Sequence, residues 1–144
     1  MSLTDQHRFA MQVAQLSRAW RAELDRRLVG LGLSQARWLV LLHLGRFAEL
    51  PTQRELAQSV GVEGPTLARL LDSLEAQGLV SRLAVPEDRR AKKIALMPEA
   101  RPLIEKIEAI SSQLREEAFA GIDEEELRRC QKVYAQVLSN LEKR

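Results

Sequence analysis

The chain of 144 residues contains little of what enzymes and metal centres are built from. It has one cysteine, Cys130, and two histidines, His7 and His43, and these lie far apart without the spacing of metal ligands. Its seven glycines never form a loop that could cradle a phosphate. The acidic run 123–126 is typical of a helix N-terminus rather than an acid/base pair. We therefore expect no catalytic residue, no metal and no cofactor.

Long apolar runs are also missing. No stretch approaches the roughly 18 residues that suggest a membrane span. The N-terminal MSLTDQHRF lacks the apolar core of a secretion signal. The composition, 45% hydrophobic and 29% charged, is ordinary for a globular protein. A chain of this length supports one core but hardly two, so the sequence predicts a single cytoplasmic domain.

The positive charge is concentrated in one short segment. The net charge of +2 is too small for a general polyanion binder. Residues 81–93 nevertheless carry five basic side chains against two acidic ones, whereas acidic residues outnumber basic ones from residue 94 onward. The basic residues are Arg82, Arg89, Arg90, Lys92 and Lys93. Such a local excess is expected of a site that binds backbone phosphates.

Residues 52–78 have the pattern of a helix-turn-helix. Thr52 and Glu55 have the spacing of a capping box, which predicts a helix over about 53–60. Gly61 supplies a tight corner, and a second helix is predicted from Gly64–Pro65 to Gly78. Its inward stripe is Leu67, Leu70, Leu71 and Leu74. The outward face near its start carries short or polar side chains, as in a helix that reads base edges.

A basic β-hairpin is predicted directly after this second helix. Residues 79–84 and 92–97 favour two short strands, joined by a flexible turn over 85–91. Arginines at such a tip can reach the minor groove, where the potential is most negative. Asp88 is expected to accept a hydrogen bond from the Arg90 guanidinium and to hold it extended.

The remaining sequence predicts long helices with more apolar surface than one small core can cover. The first stripe is Phe9, Val13, Leu16, Trp20, Leu24 and Leu28, and the last, which is expected to face inward, is Leu127, Cys130, Val133, Val137 and Leu141. A second copy of the chain is the natural partner for that surface. The predicted fold is mainly α with a small β-hairpin wing. We also expect Asp123 to cap the last helix.

The segments TLARLLDSLEAQGLVSR and DRRAKKI resemble the winged helix-turn-helix of the MarR transcription regulators, especially the SlyA-like branch. The resemblance extends from about Ala14 to Leu141. It implies a single domain, 1–144, with dimerisation helices at about 4–30 and 98–143 and a winged helix-turn-helix at about 34–97. It also implies a homodimer on double-stranded DNA that reads a pseudo-palindrome, with recognition helices about one DNA turn, roughly 34 Å, apart.

The resemblance also implies particular DNA-binding residues. The family's minor-groove arginine falls on Arg90, its orienting acid on Asp88 and its major-groove contacts on 63–69. The wing strand commonly ends in threonine, whereas Met97 stands here. Together with the basic hairpin, the expected DNA-binding residues are Glu63, Gly64, Pro65, Thr66, Arg69, Arg82, Asp88, Arg89, Arg90, Lys92 and Lys93.

A small-molecule effector is a further implication. The SlyA-like proteins hold aromatic carboxylates such as salicylate between the dimerisation helices and the DNA-binding lobe. The matching positions are Arg18, as a cation for the carboxylate, and Trp38, as an aromatic wall. A histidine of close relatives corresponds to Leu42, with His43 shifted by one residue. Trp38 also fits a plain core position.

Two alternatives remain at the level of the sequence. A winged-helix protein could dimerise and bind another protein, its hairpin being basic only for solubility. Cys130 could act as a redox switch, because some MarR relatives sense oxidants through a cysteine. In those relatives the reactive thiol lies near the N-terminus, and a lone cysteine on an apolar stripe more often behaves as a small hydrophobe.

Overall fold

The computed structural model describes residues 3–143 and confirms a mainly α fold with a two-stranded β-hairpin. In chain order the elements are α1 (Leu3–Leu28), a 3₁₀ turn (Val29–Leu31), α2 (Gln35–Gly45), α3 (Gln53–Val60), α4 (Gly64–Ala76), β1 (Val80–Val85), β2 (Asp88–Leu96), α5 (Ala100–Ala118) and α6 (Glu124–Glu142). Two compact units divide between Ser112 and Gln113, inside α5. The first unit contains the helix-turn-helix and the hairpin.

The predicted capping box begins α3. Thr52 Oγ1 accepts a hydrogen bond from the Glu55 N–H at 3.1 Å, and the Glu55 carboxylate accepts one from the Thr52 N–H at 3.0 Å. These bonds hold the pKa of Glu55 below its usual value. The helix ends at Gly61, whose φ of 85° lies in the left-handed region. Only glycine adopts that region without strain, so Gly61 fixes the corner before α4.

The core of the first unit forms around α2 and the leucine stripe of α4. Trp38 and Leu41 of α2 are fully buried, as are Leu67, Leu71 and Leu74 of α4. Each such side chain contributes about 1.5–3 kcal/mol through its burial. Leu70, predicted for the same stripe, is only half-buried. The packing holds α4 by one face and leaves its other face accessible.

The hairpin is anchored to the helix-turn-helix through β2. Ile94 is fully buried, and its N–H donates to the Pro51 carbonyl at 2.9 Å, just before α3. The isolated bridge between Thr52 and Lys93 adds to this junction. An isolated two-stranded hairpin is marginal in water, so this attachment is what makes it a stable part of the unit.

The hairpin turn is shorter than predicted. Only residues 86–87 form the turn, and β2 begins at Asp88 rather than at Lys92. Val85 pairs with Asp88 and Ala84 pairs with Lys92, so residues 89–91 lie in an irregularity of the register. A bulge of this kind bends a strand and redirects its side chains. The arginines at 89–90 therefore belong to a bulged strand and not to a loose tip.

The apolar stripe of α1 is buried only at its C-terminal end. Leu24 and Leu28 are buried, whereas Phe9, Val13 and Leu16 are exposed. Among the described residues no single helix is long and apolar enough to span a membrane. The α1 region and α2 satisfy that test only as a pair bent by 93°, and most of the apolar side chains of α2 lie in the core.

The prediction that the stripe of α6 faces inward is wrong for the single chain. Cys130 is exposed, as are Val133, Val137 and Leu141, and Leu127 is only half-buried. The predicted side-chain cap of this helix is also absent, since Asp123 occupies the N-cap position without a capping hydrogen bond. The apolar pattern of α6 was correctly read, but its own chain does not cover it.

Candidate nucleic-acid interface

An open cleft of about 840 Å³ lies between the start of α3, the start of α4 and β2. Its lining consists of Thr52, Gln53, Arg54, Ala57, Gln58, Val62, Glu63, Gly64, Asp88, Arg90, Ala91 and Lys92. The structure thus brings together five of the residues predicted to bind DNA, from two separate segments of the chain. Arg54 was missed, because a single arginine in the first turn of a short helix gives no signal in the sequence.

The first turn of α4 is accessible. Glu63 is its N-cap but makes no capping hydrogen bond, and Gly64 and Pro65 are exposed. Thr66 is half-buried and Arg69 is exposed. Within the described residues the Arg69 guanidinium has no hydrogen-bond or ion-pair partner. Both the N-terminal N–H groups and this cation can therefore meet a ligand.

Four of the five hairpin cations are also free. Arg89, Arg90, Lys92 and Lys93 are exposed, and no carboxylate among residues 3–143 lies within 4.0 Å of their charged groups. The positive charge of Lys93 acts on Glu55 from a longer distance and helps to lower the pKa of that carboxyl group. Two of them, Arg90 and Lys92, line the cleft, and unpaired cations there are suited to binding phosphates.

Arg82 differs from the other hairpin cations. Its guanidinium donates to the Ala68 carbonyl at 2.7 Å and pairs with Asp72 at 2.8 Å and Glu75 at 3.1 Å. Its side chain is only 20% exposed. The basic hairpin predicts a DNA-binding role for Arg82, but in the structure its side chain contacts α4 of its own chain.

The expected contact between Asp88 and the Arg90 guanidinium is also wrong. Asp88 Oδ1 instead accepts a hydrogen bond from the backbone N–H of Arg90 at 2.9 Å. An aspartate two residues ahead of a backbone N–H commonly makes this bond, since its short side chain reaches no farther. Asp88 therefore shapes the backbone of the bulge, and the Arg90 side chain has no partner among residues 3–143.

Comparison with known proteins agrees with this geometry. A sequence model described as the MarR family matches residues 31–91. The crystal structure of the transcriptional regulator PA3341 is 68% identical, with a TM-score of 0.89, over 94% of this chain and 99% of that chain. The chain belongs to the MarR family. It is a winged-helix, DNA-binding regulator of transcription.

Two further MarR-like structures extend the comparison. CouR from Rhodococcus jostii RHA1, solved with bound p-coumaroyl-CoA, is 26% identical over 95% of this chain and 94% of its own, with a TM-score of 0.79. MepR from S. aureus, solved as a DNA complex, is 23% identical over 92% of this chain and 97% of its own, with a TM-score of 0.82. The likeness to MepR concerns the fold alone.

The three expected effector residues of this MarR protein are not brought together. Trp38 and Leu42 are buried in the core. Arg18 is exposed and lines a groove of about 690 Å³ whose described lining comes entirely from α1. Trp38 Nε1 and Ser111 Oγ are nevertheless buried without a hydrogen-bond partner. Such orphaned donors cost about 1–3 kcal/mol each unless something satisfies them.

Cys130 lies beside cations that are already engaged. Arg128 pairs with Glu124 and Glu125, and Arg129 approaches Glu125 at 3.9 Å. Across residues 3–143 no group of three or more histidine, cysteine, aspartate or glutamate residues could hold a metal ion. The structure therefore adds no support to a redox role for Cys130.

His43 joins α2 to α3 outside the cleft. Its Nδ1 lies 2.8 Å from Ser59 Oγ. Burial, followed by the charges of Arg46 and Arg21, holds the pKa of His43 below its usual 6.5. The unfolded chain therefore takes up this proton more readily than the folded one.

The lowered pKa of His43 predicts a loss of stability in acid. The contribution of the neutral imidazole is complete well above pH 6.5 and is lost as the pH falls below 6.5 through the lowered pKa. Urea unfolding from roughly pH 8 to pH 5, compared between wild type and His43→Gln, measures this. The wild type should lose more stability than the variant, and parallel pH profiles would contradict the assignment.

Proposed function

We propose that this MarR regulator binds a pseudo-palindromic operator as a homodimer, with α4 in the major groove and the hairpin in the adjacent minor groove. The observation that carries the proposal is the cleft, bordered by the start of α4 on one side and by β2 on the other, with unpaired cations around it. A regulator that binds the chromosome works where the chromosome lies, so we also infer a cytoplasmic location.

The shape of duplex DNA explains why such a cleft is needed. One sugar-phosphate strand separates a major groove from the neighbouring minor groove. If α4 and the hairpin occupy these two grooves, that strand must run through the cleft between them. Arg54 and Lys92 are then positioned for its phosphates, since both line the cleft. Arg54 thereby joins the residues expected from the sequence.

Base recognition falls to the side chains at the edges of the cleft. Arg69 and Thr66 lie near the start of α4, where a recognition helix meets base edges. Arg90 lies on the bulged strand with an unpaired guanidinium, suited to a narrow minor groove. Gly64 and Pro65 expose the first turn for close backbone approach. The DNA complex of MepR supports this use of the fold.

Arg90→Ala and Arg54→Gln should weaken operator binding in different ways. Arg90→Ala should reduce affinity at least tenfold and reduce discrimination among minor-groove variants of the operator. Arg54→Gln should weaken all sequences alike and reduce the slope of log affinity against log salt by about 1.8, the value for two phosphate contacts, one from each protomer. Fluorescence anisotropy titrations at several salt concentrations measure both effects.

The control is Lys106→Gln, which removes an exposed cation from α5, outside the cleft. It should leave affinity and salt slope close to wild type. Unaltered operator affinity of Arg90→Ala would remove the minor-groove assignment. An unchanged salt slope of Arg54→Gln would instead show that the phosphate strand does not pass through the cleft.

Dimerisation is supported by apolar surface that the chain leaves uncovered. On α6 the exposed apolar side chains are Tyr134, Val137, Leu138 and Leu141, together with Val133. On α1 they are Phe9, Met11, Val13 and Leu16. Stripes of this length are uncommon on monomers and mark an interface. A two-fold dimer would present two cleft-bearing units to the two halves of a palindrome.

Val137→Glu should disrupt the dimer. A carboxylate in the middle of an apolar interface is left without a partner, at a cost of several kcal/mol. Sedimentation should shift toward the 16.3 kDa monomer. Ser139→Glu places the same charge on the opposite, exposed face of α6 and should stay dimeric. A dimeric Val137→Glu protein would exclude α6 from the interface.

We also propose control by an aromatic carboxylate. CouR was solved with p-coumaroyl-CoA, an aromatic acyl thioester, which supports binding of an aromatic acyl group within the fold. Trp38 Nε1 and Ser111 Oγ are each buried without a partner among the described residues, so a carboxylate oxygen could satisfy either of them, and Leu42 is a further buried apolar residue of α2. Arg18 lies on an exposed groove of α1, so we assign it an accessory role at most. The ligand can release DNA only if it favours a spacing of the two DNA-binding units that does not fit the operator.

Salicylate is the probe for this proposal. Calorimetry should give the same factor for the loss of salicylate affinity on adding operator as for the loss of operator affinity on adding salicylate. Trp38→Phe keeps the aromatic ring but removes the N–H, and should weaken salicylate about fivefold to tenfold, the value of one hydrogen bond. Equal salicylate affinity with and without operator would eliminate it as the coupled effector.

A further inference from the structure

We propose that Arg82 is a positioning residue: it fastens the hairpin to the recognition helix and makes no contact with DNA itself. We call the group formed by Arg82, Asp72, Glu75 and the Ala68 carbonyl the Arg82 clamp. The inference rests on the proposed function, because it assigns the means by which Arg90 is aimed at the minor groove.

The clamp uses several donors of Arg82 at once. The guanidinium donates to the Ala68 carbonyl at 2.7 Å and pairs with Asp72 and Glu75 at 2.8 Å and 3.1 Å. The backbone N–H of Arg82 also lies 3.3 Å from a Glu75 oxygen. A planar guanidinium with fixed donor directions allows one orientation for such a set of acceptors. The strand is therefore fixed to α4 in rotation as well as in distance.

The position of the clamp in the fold explains its effect. Arg82 is in β1 and pairs with Ile94 of β2, the buried anchor of the hairpin. Ala68 directly precedes Arg69 on α4. The clamp thus joins the hairpin to α4 beside the residue that faces the bases. Beyond it, the hairpin reaches Arg90 with the other strand and the bridge between Thr52 and Lys93 for support, and two-stranded hairpins are weak alone.

The charge of the clamp argues against a direct phosphate contact. One guanidinium faces two carboxylates, so the group carries a net charge of −1. A group that is already neutralised cannot release counterions from DNA as a free cation does. Asp72 and Glu75 are themselves exposed, with side chains 70% and 44% accessible, so their negative charge faces solvent. Removing them should, by charge alone, strengthen DNA binding.

The charge of the two carboxylates and their positioning role therefore predict opposite changes in DNA affinity when both are neutralised. The paired substitution Asp72→Asn with Glu75→Gln keeps Arg82, removes two negative charges and preserves the size of both side chains. If the clamp positions Arg90, the doubly substituted protein should bind the operator at least fivefold more weakly despite its more positive surface. Arg82→Gln should weaken binding similarly, and Arg82→Lys should restore only part of the loss. Stronger binding by the doubly substituted protein would overturn the proposal.

Salt dependence and a double-mutant cycle separate positioning from contact. Arg82→Gln should leave the slope of log affinity against log salt unchanged, whereas Lys92→Gln, the matched loss of a free hairpin cation from each protomer, should lower it by about 1.8. Arg90→Ala should cost at least tenfold in the wild-type background and under threefold in the Arg82→Gln background. A reduced slope for Arg82→Gln, or additive losses, would overturn the proposal.

Hydrogen exchange without DNA distinguishes failure of the clamp from failure of the proposed function. Arg82→Gln should speed amide exchange in β2 at least tenfold and leave α3 unchanged, and Arg90→Ala should change neither. If the wild type binds no operator, or if Arg90→Ala leaves operator affinity unchanged, the proposed function fails. The exchange rates of β2 still test the clamp in that case, because they are measured without DNA. Unchanged β2 exchange in Arg82→Gln would overturn the clamp.

Discussion

The structure depends above all on the fixed position of α4, which is held from three directions. Its leucine stripe is buried in the core. On one flank Arg37 of α2 donates to Ser73 at 3.0 Å. On another, Arg82 reaches across from β1 to the Ala68 carbonyl. A helix held in this way presents its first turn in one orientation, and a cleft of defined shape can exist beside it.

Most of the fold could be predicted because it follows from local patterns. The capping box at Thr52 and the corner at Gly61 are properties of a few neighbouring residues, and both were confirmed. The hairpin bounds were less accurate, because strand pairing continued to Asp88 through an irregular register that the sequence does not reveal. The apolar stripe of α6 was found, but whether a chain covers its own stripe depends on contacts that no periodicity encodes.

The site was predictable in its residue types and less so in their roles. A basic segment of the sequence indicates positive charge, but it does not show which arginines are paired with carboxylates in the fold and which are free. Arg90 and Arg82 have the same chemistry and lie eight residues apart in the sequence. Only the three-dimensional arrangement gives Arg82 two carboxylates of α4 and leaves Arg90 none. Arg54 was missed for the opposite reason, since its importance comes from the cleft and not from its neighbours.

The pattern of paired and unpaired charge resolves how a chain with a net charge of +2 can be built to bind DNA. Binding requires that the cations facing the phosphates be unpaired, and here the nearby carboxylates form bonds elsewhere instead of pairing with them. Asp88 is occupied by a backbone N–H, and Asp72 and Glu75 by Arg82. Acidic groups that would otherwise repel DNA thereby shape the hairpin that grips it. The same carboxylates serve folding, and the local positive charge comes from the hairpin cations that they leave unpaired among the described residues, so a large overall charge is unnecessary.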